Sequence, residues 1–268
     1  MNGSGDLRVL SSISYDAALL PHFVDYYRGL GVENFAISVH EQRPGILAVV
    51  EALAATLGPG ITLHPASAWQ ERTGVEGANK NDLRRRVAQL EDWLIPADLD
   101  EFIQFPLPLP ALIGKLIEAD AQCVMGRFRD RLAWDGVLVP TAPTPSVWEQ
   151  YPLEADISSQ LVKGLCTKVV LCRDDCEIGS GHHFVRGTAR VLSGTSGIVH
   201  HFKWRAGLAD ALTQRVAIYR REKVPWVDES ERVLAYLAEH GRIVPEHFAP
   251  RTGWQPDVAA ADDTISTV

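Results

Sequence analysis

The sequence predicts an α/β fold: a mixed, mostly parallel sheet flanked by helices, with further helices towards the C-terminal end. Strand-like and helix-like apolar patterns alternate over the first hundred residues, and this alternation is typical of parallel sheets covered by helices. The composition is that of a globular protein, with 46% hydrophobic and 22% charged residues in a chain of 268. A chain of this length can bury a large core.

The first predicted strand and helix set the pattern. Residues 7–14 are mostly apolar and strand-like, and after them Leu20, Phe23 and Tyr27 recur at the spacing of one helix face. This helix is expected over 17–30, and it ends near two glycines. Strands and helices then alternate at 34–39, 46–57, 61–65 and 79–90, and a further strand ends at Asp98.

The second half of the chain continues the sheet and then becomes helical. We expect a main domain over 1–222, followed by a helical extension with a polar tail over 223–268. The tail after Pro250 is rich in Ala and Asp, and it is expected to fray. The elements predicted here are a helix around 109–119, a strand at 122–128, a Pro-rich connection at 140–152, strands at 168–173 and 198–204, and helices near 207–222 and 228–241.

Net charge and apolar patterning exclude two classes of partner. The formal net charge is -8 and the isoelectric point about 5.6, whereas a nucleic-acid-binding surface needs a basic footprint. No apolar run approaches the ~20 residues of a membrane span. The N-terminal residues lack the charged and apolar regions of a secretory signal. We therefore expect a cytoplasmic protein that binds no nucleic acid and has no integral membrane segment.

The four cysteines are consistent with a cytoplasmic protein, where thiols stay reduced. Cys123, Cys166, Cys172 and Cys176 are expected to be reduced thiols, because a chain of this size needs no disulfides to hold its core together. Cys172 and Cys176 could supply two zinc ligands, but no second Cys/His pair stands at the spacing of a zinc site.

Three carboxylates interrupt an apolar stretch at 92–106, which reads DWLIPADLDEFIQFP. Burying charge is costly unless it is paired or bound to a metal, so Asp98, Asp100 and Glu101 need a partner. Ligands of parallel sheets bind outside the carboxyl ends of the strands, where these acids are expected. Residues i and i+2 of a strand face the same way, so the two aspartates should converge on one ligand. Two hard oxygen ligands suit Mg²⁺ or Mn²⁺.

The spacing alone is a weak signal. Among 18 aspartates in 268 positions, about one Asp-x-Asp pair is expected by chance. The apolar strand before the pair and the third acid after it therefore carry the argument. The alternative interpretation is a solvated strand end whose acids cap the backbone.

The segment DWLIPADLDEFI at 92–103 resembles the DxDEF-containing segment of bacterial family-2-like glycosyltransferases and the related family 92, which have the GT-A fold. The segment SSISYDAALLPHFVDYYRGLGVENFAISVH at 11–40 is similar to their first strand, helix and second strand. The similarity spans roughly 8–222. It departs from the family where Tyr15 and Asp16 replace an Asn-Glu pair and where a polar motif becomes Val-His-Glu-Gln. Base and sugar preference therefore do not carry over.

The resemblance implies a metal-dependent, hexosyltransferase-type enzyme that moves a sugar from a nucleotide-diphosphate sugar to an acceptor hydroxyl with inversion. Its nucleotide-sugar half would cover about 1–105 and its acceptor half about 106–222. Asp100 would hold the Mn²⁺ or Mg²⁺ ion and the diphosphate, and Asp98 the ribose or the water shell of the metal, with Glu101 on the opposite face. The donor-binding residues expected are Ser14, Tyr15, Asp16, His40, Lys80, Asp98 and Lys203.

A late histidine binds the metal in many GT-A enzymes. The strand at 198–204 carries His200 and His201, of which only one can face the site, and we choose His200. The alternative for either residue is a hydrogen-bonded core histidine. Trp134, Trp148 and Trp204 could stack on sugars, although most tryptophans are core residues.

An inverting transferase also needs a general base, usually a carboxylate. Asp130 is the preferred candidate, with Asp135 and His183 as alternatives. The competing interpretation of Asp130 is an ion pair with one of the arginines around it.

Two other functions compete with the transferase. A phosphohydrolase of the haloacid-dehalogenase type also ends an apolar strand with Asp-x-Asp; there Asp98 would be the nucleophile, and Asp174 and Asp175 the later acidic pair. A catalytically degenerate domain would bind a sugar nucleotide or a partner protein without turnover. The acceptor, whether a glycan, a lipid-linked glycan, a protein or a small molecule, is not specified by the sequence.

Overall fold

A computed structural model describes residues 5–40, 44–66, 75–90, 92–224 and 226–250. Within these ranges nine strands form one sheet. Their bounds are β1 (Leu7–Ile13), β2 (Asn34–His40), β3 (Ile61–Ala66), β4 (Trp93–Pro96), β5 (Glu101–Gln104), β6 (Cys123–Leu132), β7 (Leu153–Ala155), β8 (Thr167–Arg173) and β9 (Val191–His201).

The strand order is β3-β2-β1-β4-β8-β6-β9-β5, and β7 pairs with β6. β1 runs parallel to β2 and β4, β2 to β3, and β6 to β9. β8 is antiparallel to both β4 and β6, so β4 and β6 run in the same direction. β5 is antiparallel to β9, and β7 is antiparallel to β6. Six of the described strands thus point the same way. The predicted mixed, mostly parallel sheet with flanking helices is confirmed.

Helices cover the sheet and follow it. None of the helices in the described ranges has the length and apolar character needed to cross a bilayer. The α-helices are α1 (Leu20–Gly29), α2 (Ile46–Leu57), α3 (Val75–Val87), α4 (Leu109–Glu118), α5 (Val147–Gln150), α6 (Leu208–Glu222) and α7 (Val227–His240), with a π-helical turn at Ser158–Val162 and 3₁₀ turns at Ser180–His182 and Pro245–Phe248.

Helix α1 shows how the sequence pattern becomes packing. Pro21 stands in its first turn, where a missing backbone N–H leaves no intrahelical bond unmade. Leu20, Phe23 and Tyr27 lie on its buried face. Phe23 meets Phe102 of β5 edge-on, with 5.9 Å between ring centroids. Full burial of such a side chain stabilises the fold by roughly 1.5–3 kcal/mol.

The C-terminal helices share a second hydrophobic cluster with the sheet. Trp204, just beyond β9, is fully buried there and packs with Leu132 of β6 and Val233 of α7. The domain boundary near residue 222 stays a prediction, and the predicted polar tail after Pro250 lies outside the described residues.

Most of the predicted elements are present within a few residues, but the sequence prediction missed β5, β7 and the first half of β9. The strand expected to end at Asp98 ends at Pro96 instead. Beyond it, β5 is only four residues long and begins with the acid Glu101, so its pattern gives little strand signal. The separation of β4 from β5 matters because it changes the direction of the carboxylates between them.

Candidate active site

The carboxyl ends of the six parallel strands meet at one edge of the sheet, together with the first residues of β5 and β8. The pairing shows this directly: His201, the last residue of β9, is the register partner of both Glu101 in β5 and Asp130 in β6. Lys168 is the second residue of β8 and enters from the same edge. This edge therefore gathers charged side chains from segments that are far apart in the sequence.

Asp98 and Asp100 lie in a turn between β4 and β5 rather than in an extended strand. The turn is closed by the backbone N–H of Glu101, which donates to the carbonyl of Asp98 at 2.9 Å. Strand alternation does not apply to turn residues, and the two aspartates reach different partners. The expectation that they converge on one ligand by alternation is wrong. Glu101, expected on the opposite face, instead lies with Asp98.

Lys80, Asp98, Glu101 and Lys168 form what we call the lysine–carboxylate cluster. Lys80 Nζ donates to Asp98 Oδ1 at 2.7 Å. Lys168 Nζ lies 2.8 Å from Glu101 Oε1 and 3.5 Å from Asp98 Oδ2. Glu101 Oε2 accepts from the backbone N–H of Asp98 at 3.1 Å. The Lys80 side chain is 1% exposed and Asp98 27% exposed, so two largely buried ammonium groups balance two carboxylates at the edge of the sheet.

The cluster separates the acidities of its two carboxyl groups. Burial by itself raises the pKa of both. For Asp98, burial is outweighed first by Lys80 and also by Lys168, which hold the pKa of this carboxyl well below its usual range. For Glu101, burial outweighs the attraction of Lys168, and its pKa is raised. Asp98 is therefore the more acidic of the two carboxyl groups.

His182 completes the surroundings of Asp98. Its ring is fully buried, with Nδ1 3.5 Å from Lys80 Nζ and Nε2 3.9 Å from Asp98 Oδ1. Within the described part of the chain, Nε2 has no hydrogen-bond partner. Burial, reinforced by Lys80 and Lys168, holds the pKa of His182 well below its usual value, so the ring is neutral. Gly181 and His182 both have positive φ, 58° and 53°, which brings this ring to the cluster.

Asp100, Asp130 and His201 form a second group, the histidine–aspartate cluster. His201 Nδ1 lies 3.0 Å from Asp130 Oδ1, the distance of a hydrogen bond that the ring donates. The opposite ring nitrogen, Nε2, lies 3.7 Å from Asp100 Oδ2. Asp100 is 25% exposed, much as Asp98 is, so its carboxylate is partly open to solvent beside the imidazole. The ring of Phe128 stacks on His201 at 4.5 Å and fixes its plane.

Asp130, predicted as the general base, lies beneath this cluster. It is 1% exposed and accepts hydrogen bonds from Trp204 Nε1 at 2.8 Å and from the backbone N–H and hydroxyl of Ser158 at 2.6 and 2.8 Å. Burial raises its pKa, but the hydrogen bonds from His201, Ser158 and Trp204 outweigh burial and lower it. Asp130 therefore anchors His201 and offers no free oxygen to an acceptor. Arg129 pairs with Asp156, and Arg131 pairs with Glu154.

The alternative bases also have defined positions. His183 Nδ1 donates to the backbone carbonyl of Thr167 at 2.7 Å, and burial lowers the pKa of His183 to about 3. Asp135 is exposed, and its Oδ1 accepts from the backbone N–H of Val137 at 3.0 Å. Of the two carboxylates considered as the general base, Asp135 is exposed and Asp130 is buried.

His200, predicted as the metal ligand, faces away from the acids. It is the register partner of Phe102, and its ring lies edge-on to Trp148 at 4.9 Å, with Nε2 3.1 Å from Gln104 Oε1. Burial, with Arg131 and Arg129 nearby, lowers the pKa of His200 to about 4. Because neighbours in a strand face opposite ways, His201 is the histidine at the charged edge.

The predicted donor-binding residues after β1 and β2 lie at the same edge. Ser14 and Tyr15 are half-buried. Asp16 accepts from the backbone N–H of Ala18 at 2.7 Å and pairs with Arg205 at 2.6 Å, which ties the start of α1 to the segment after β9. His40 is buried, with Nε2 3.0 Å from Ser38 Oγ.

Lys203, predicted to meet phosphate, lies towards the C-terminal helices. It borders a small cavity of about 30 Å³ together with Arg215 and Glu229. Burial, with Arg215, lowers the pKa of Lys203. Of the three tryptophans considered for sugar stacking, Trp204 is fully buried, Trp148 packs among aromatic rings, and Trp134 is 74% exposed.

The phosphohydrolase hypothesis requires Asp174 and Asp175 to lie near Asp98. They follow the last residue of β8, whose first residues contribute Lys168 to the site. The N–H of Asp174 donates to the carbonyl of Asp92, which precedes β4. The acidic pair therefore lies at the opposite edge of the sheet, and the arrangement needed by that hypothesis is absent.

The resemblance implies a divalent cation, and two groups of side chains offer ligand atoms. Atoms of Asp98, Glu101 and His182 lie within 4.8 Å of one another, but both of these carboxylates already pair with lysines. In the other group, Asp100 faces His201 Nε2 while Asp130 holds Nδ1, as carboxylates orient metal-binding imidazoles elsewhere. The second group offers two ligand atoms, Asp100 Oδ2 and His201 Nε2, 3.7 Å apart, whereas the carboxylates of the first are already compensated by lysines.

Comparison with known proteins assigns no family. No protein-family model matches the sequence, and no curated protein matches it. Among solved structures, TarS from S. aureus is similar with a TM-score of 0.40 and 12% identity, over 88% of this chain and 74% of that chain. HddC from Yersinia pseudotuberculosis has a TM-score of 0.38 and 9% identity, over 72% of this chain and 90% of that chain. Similarity at this level gives the chain neither a family nor an activity.

Sequence reasoning gave no role at this site to Lys168 and His182, and it chose His200 over His201. Each of the three had a partial signal. Lys168 opens a predicted strand, His182 precedes the considered His183, and His201 was the alternative to His200. What the sequence lacks is the pairing register that brings them to Asp98 and Asp100.

Proposed function

We propose that the chain is a GT-A-like transferase that moves a sugar from a nucleotide-diphosphate sugar to an acceptor hydroxyl. The observation that carries the proposal is the charged edge of the sheet. There a partly exposed aspartate, Asp100, faces an oriented imidazole, beside two buried lysines that compensate the neighbouring acids. The resemblance at 92–103 supports the same reading, and inversion by direct displacement is the stereochemical course it implies.

The lysines make the edge tolerant of an anionic substrate. Without them, Asp98, Asp100 and Glu101 would repel a diphosphate. Lys80 and Lys168 cancel two of these charges from inside the protein. Each ammonium group has three N–H donors, and the field of both lysines extends to the solvent edge where Asp98 is partly exposed. Asp98 is left as a hydrogen-bond acceptor suited to ribose hydroxyls.

Asp100 and His201 would hold the divalent cation. A carboxylate oxygen and an imidazole nitrogen suit Mn²⁺ better than Mg²⁺, which prefers oxygen ligands alone. When bound, the ion would supply positive charge to the departing diphosphate. Asp130 serves this pair by keeping the proton of His201 on Nδ1, which leaves the lone pair of Nε2 directed towards Asp100.

A thermal-shift screen of nucleoside diphosphates and their sugars, with and without Mn²⁺, tests the donor site. A ligand that binds only the native state at about 100 times its Kd stabilises the protein by about 2.7 kcal/mol. We expect one base to raise the melting temperature, and more strongly with Mn²⁺. In Asp100→Asn the Mn²⁺-dependent part of the shift should disappear, while the exposed control Glu118→Gln behaves like the wild type.

Turnover of the donor identified in this way separates an enzyme from a binding domain. We expect Asp100→Asn or EDTA to lower donor turnover by about 10²–10³-fold, the usual cost of losing one preorganised stabilising group. Full activity in both cases would contradict the proposal. Donor binding without hydrolysis, and without transfer to any acceptor tried, would instead identify the degenerate sugar-nucleotide-binding domain.

A further inference from the structure

A cavity of about 320 Å³ lies on the other face of β5 from the lysine–carboxylate cluster. Its floor is Phe102, whose side chain points away from the face occupied by Glu101. Helix α1 forms one wall with His22, Asp25 and Tyr26, and the start of α5 forms the other with Trp148. The volume falls within the range of small-molecule sites.

The aromatic side chains of this cavity are held rigidly. The hydroxyl of Tyr26 donates to the backbone carbonyl of Ile103 at 2.8 Å. Trp148 lies edge-on to Phe202, with 5.1 Å between ring centroids, and the Arg131 guanidinium sits 4.9 Å from its ring centre. A ligand would therefore meet preformed flat surfaces and would not have to order them.

The same cavity offers hydrogen-bonding groups that the protein leaves unused. In the described ranges, the exposed carboxylate of Asp25 makes no ion pair or hydrogen bond, and no residue accepts from the indole N–H of Trp148. His22 Nε2 donates to the carbonyl of Ala142 at 2.8 Å, which fixes the ring and leaves Nδ1 as an acceptor. Two acceptors and one donor thus surround an aromatic floor.

This combination favours a hydroxylated ring over an apolar ligand. The apolar face of a pyranose packs on flat aromatic surfaces, and its hydroxyls need acceptors such as a carboxylate. An apolar ligand would bury Asp25 without a partner, which is costly.

We propose that the cavity between α1 and α5 binds a pyranose ring of a neutral saccharide, stacked against Tyr26 and Trp148 and hydrogen-bonded to Asp25. The site is separate from the charged edge and does not depend on the transferase proposal. Its ligand carries no phosphate, because the cavity presents a carboxylate and no free cation among the described residues.

Fluorine NMR of protein labelled with fluorotryptophan tests this site. The Trp148 resonance is identified with Trp148→Phe and is followed during titration with the methyl glycosides of glucose, galactose and N-acetylglucosamine. We expect at least one of them to shift it saturably. Asp25→Asn should weaken this binding about tenfold, as loss of a charge-assisted hydrogen bond does, and the exposed control Glu118→Gln should not.

Competition separates the cavity from the charged edge. Nucleoside diphosphate with Mn²⁺, at saturation, should leave the glycoside-dependent shift of Trp148 in place. The proposal is overturned if no glycoside moves the resonance, if choline moves it and no glycoside does, if Asp25→Asn binds as tightly as the wild type, or if the nucleotide displaces the saccharide. Since glycoside binding needs no turnover, it stands or fails independently of the transferase activity.

Discussion

Asp98 and Asp100 occupy one turn, two residues apart, yet their surroundings are opposite. Asp98 pairs with two buried lysines and lies beside a buried neutral histidine. Asp100 is exposed to nearly the same degree as Asp98, 25% against 27%, but it faces one histidine whose other nitrogen is fixed by Asp130. The two carboxylates therefore differ in their partners and not in their exposure. Sequence spacing suggests two equal ligands, whereas the charge of Asp98 is compensated by lysines and that of Asp100 faces an imidazole.

Removing Lys168 should break this contrast most strongly. In Lys168→Met, the buried Glu101 and part of Asp98 lose their cation, and breaking a buried pair from one side costs about 3–5 kcal/mol. Urea unfolding measures this loss. The exposed control Lys115→Met should change the free energy of unfolding by less than about 0.5 kcal/mol. Adding Glu101→Gln to Lys168→Met should recover part of the loss, because the uncompensated charge of Glu101 is then gone. A loss below about 1 kcal/mol in Lys168→Met alone would contradict the role of Lys168 in compensating the buried carboxylates.

Asp98→Asn and Asp100→Asn compare the two acids directly. Asp98→Asn leaves Lys80 without its carboxylate, and we expect a loss of about 2 kcal/mol, less than for a fully buried pair because Asp98 is 27% exposed. Asp100→Asn should cost no more than about 0.5 kcal/mol, since its carboxylate is partly exposed and leaves no buried lysine uncompensated when it is removed. Parallel urea unfolding of both variants tests the order. Equal losses would mean that the two acids share one structural role.

The pH dependence of stability sharpens the contrast further. The pKa of His182 is lowered by burial, so between its folded pKa and the unfolded value of about 6.5 only the unfolded chain takes up the proton. Stability should therefore fall as pH drops below about 6.5, by up to about 1.4 kcal/mol per pH unit for each such histidine. His183 and His200, with pKa values of about 3 and about 4, add to the slope in the same direction.

His182→Asn should remove one contribution to this slope. Asn tolerates the positive φ of 53° at this position, so the backbone is preserved. Unfolding free energies between pH 7 and pH 4.5 should vary less steeply in the variant, by up to about 1.4 kcal/mol per pH unit. An unchanged slope would show that His182 protonates in the native state.

Much of the fold follows from local sequence pattern. The apolar face of α1 and the strands that alternate with the first helices are visible within short windows, because periods of two and 3.6 residues are properties of the local chain. The position of Asp98 at the end of an apolar strand is local in the same sense. The predicted length of that strand was wrong. The strand ends at Pro96 and a turn follows, so the alternation of side chains along the strand does not extend to Asp100.

The composition of the site is not local. Lys168 and His182 meet Asp98 only because β8 and the turn after it are paired beside β4. The choice between His200 and His201 depends on which residue of β9 faces which residue of β5, and no periodicity within β9 decides that. Long-range register placed these residues, and the sequence pattern could only offer them as candidates.

The pairing of β9 also determines where the chain tolerates a change of length. Its alignment with β6 jumps from Cys123 opposite Val191 to Met125 opposite Ser196, so several residues of β9 are already accommodated without a partner there. An inserted residue upstream of Ser196 would be absorbed by this irregularity. A residue inserted between Ser196 and His200 would exchange the positions of the two imidazoles. His201 would then point towards the aromatic rings around Trp148, and His200 would point towards Asp100. Homologous chains should accordingly vary in length before Ser196 and keep a constant count after it.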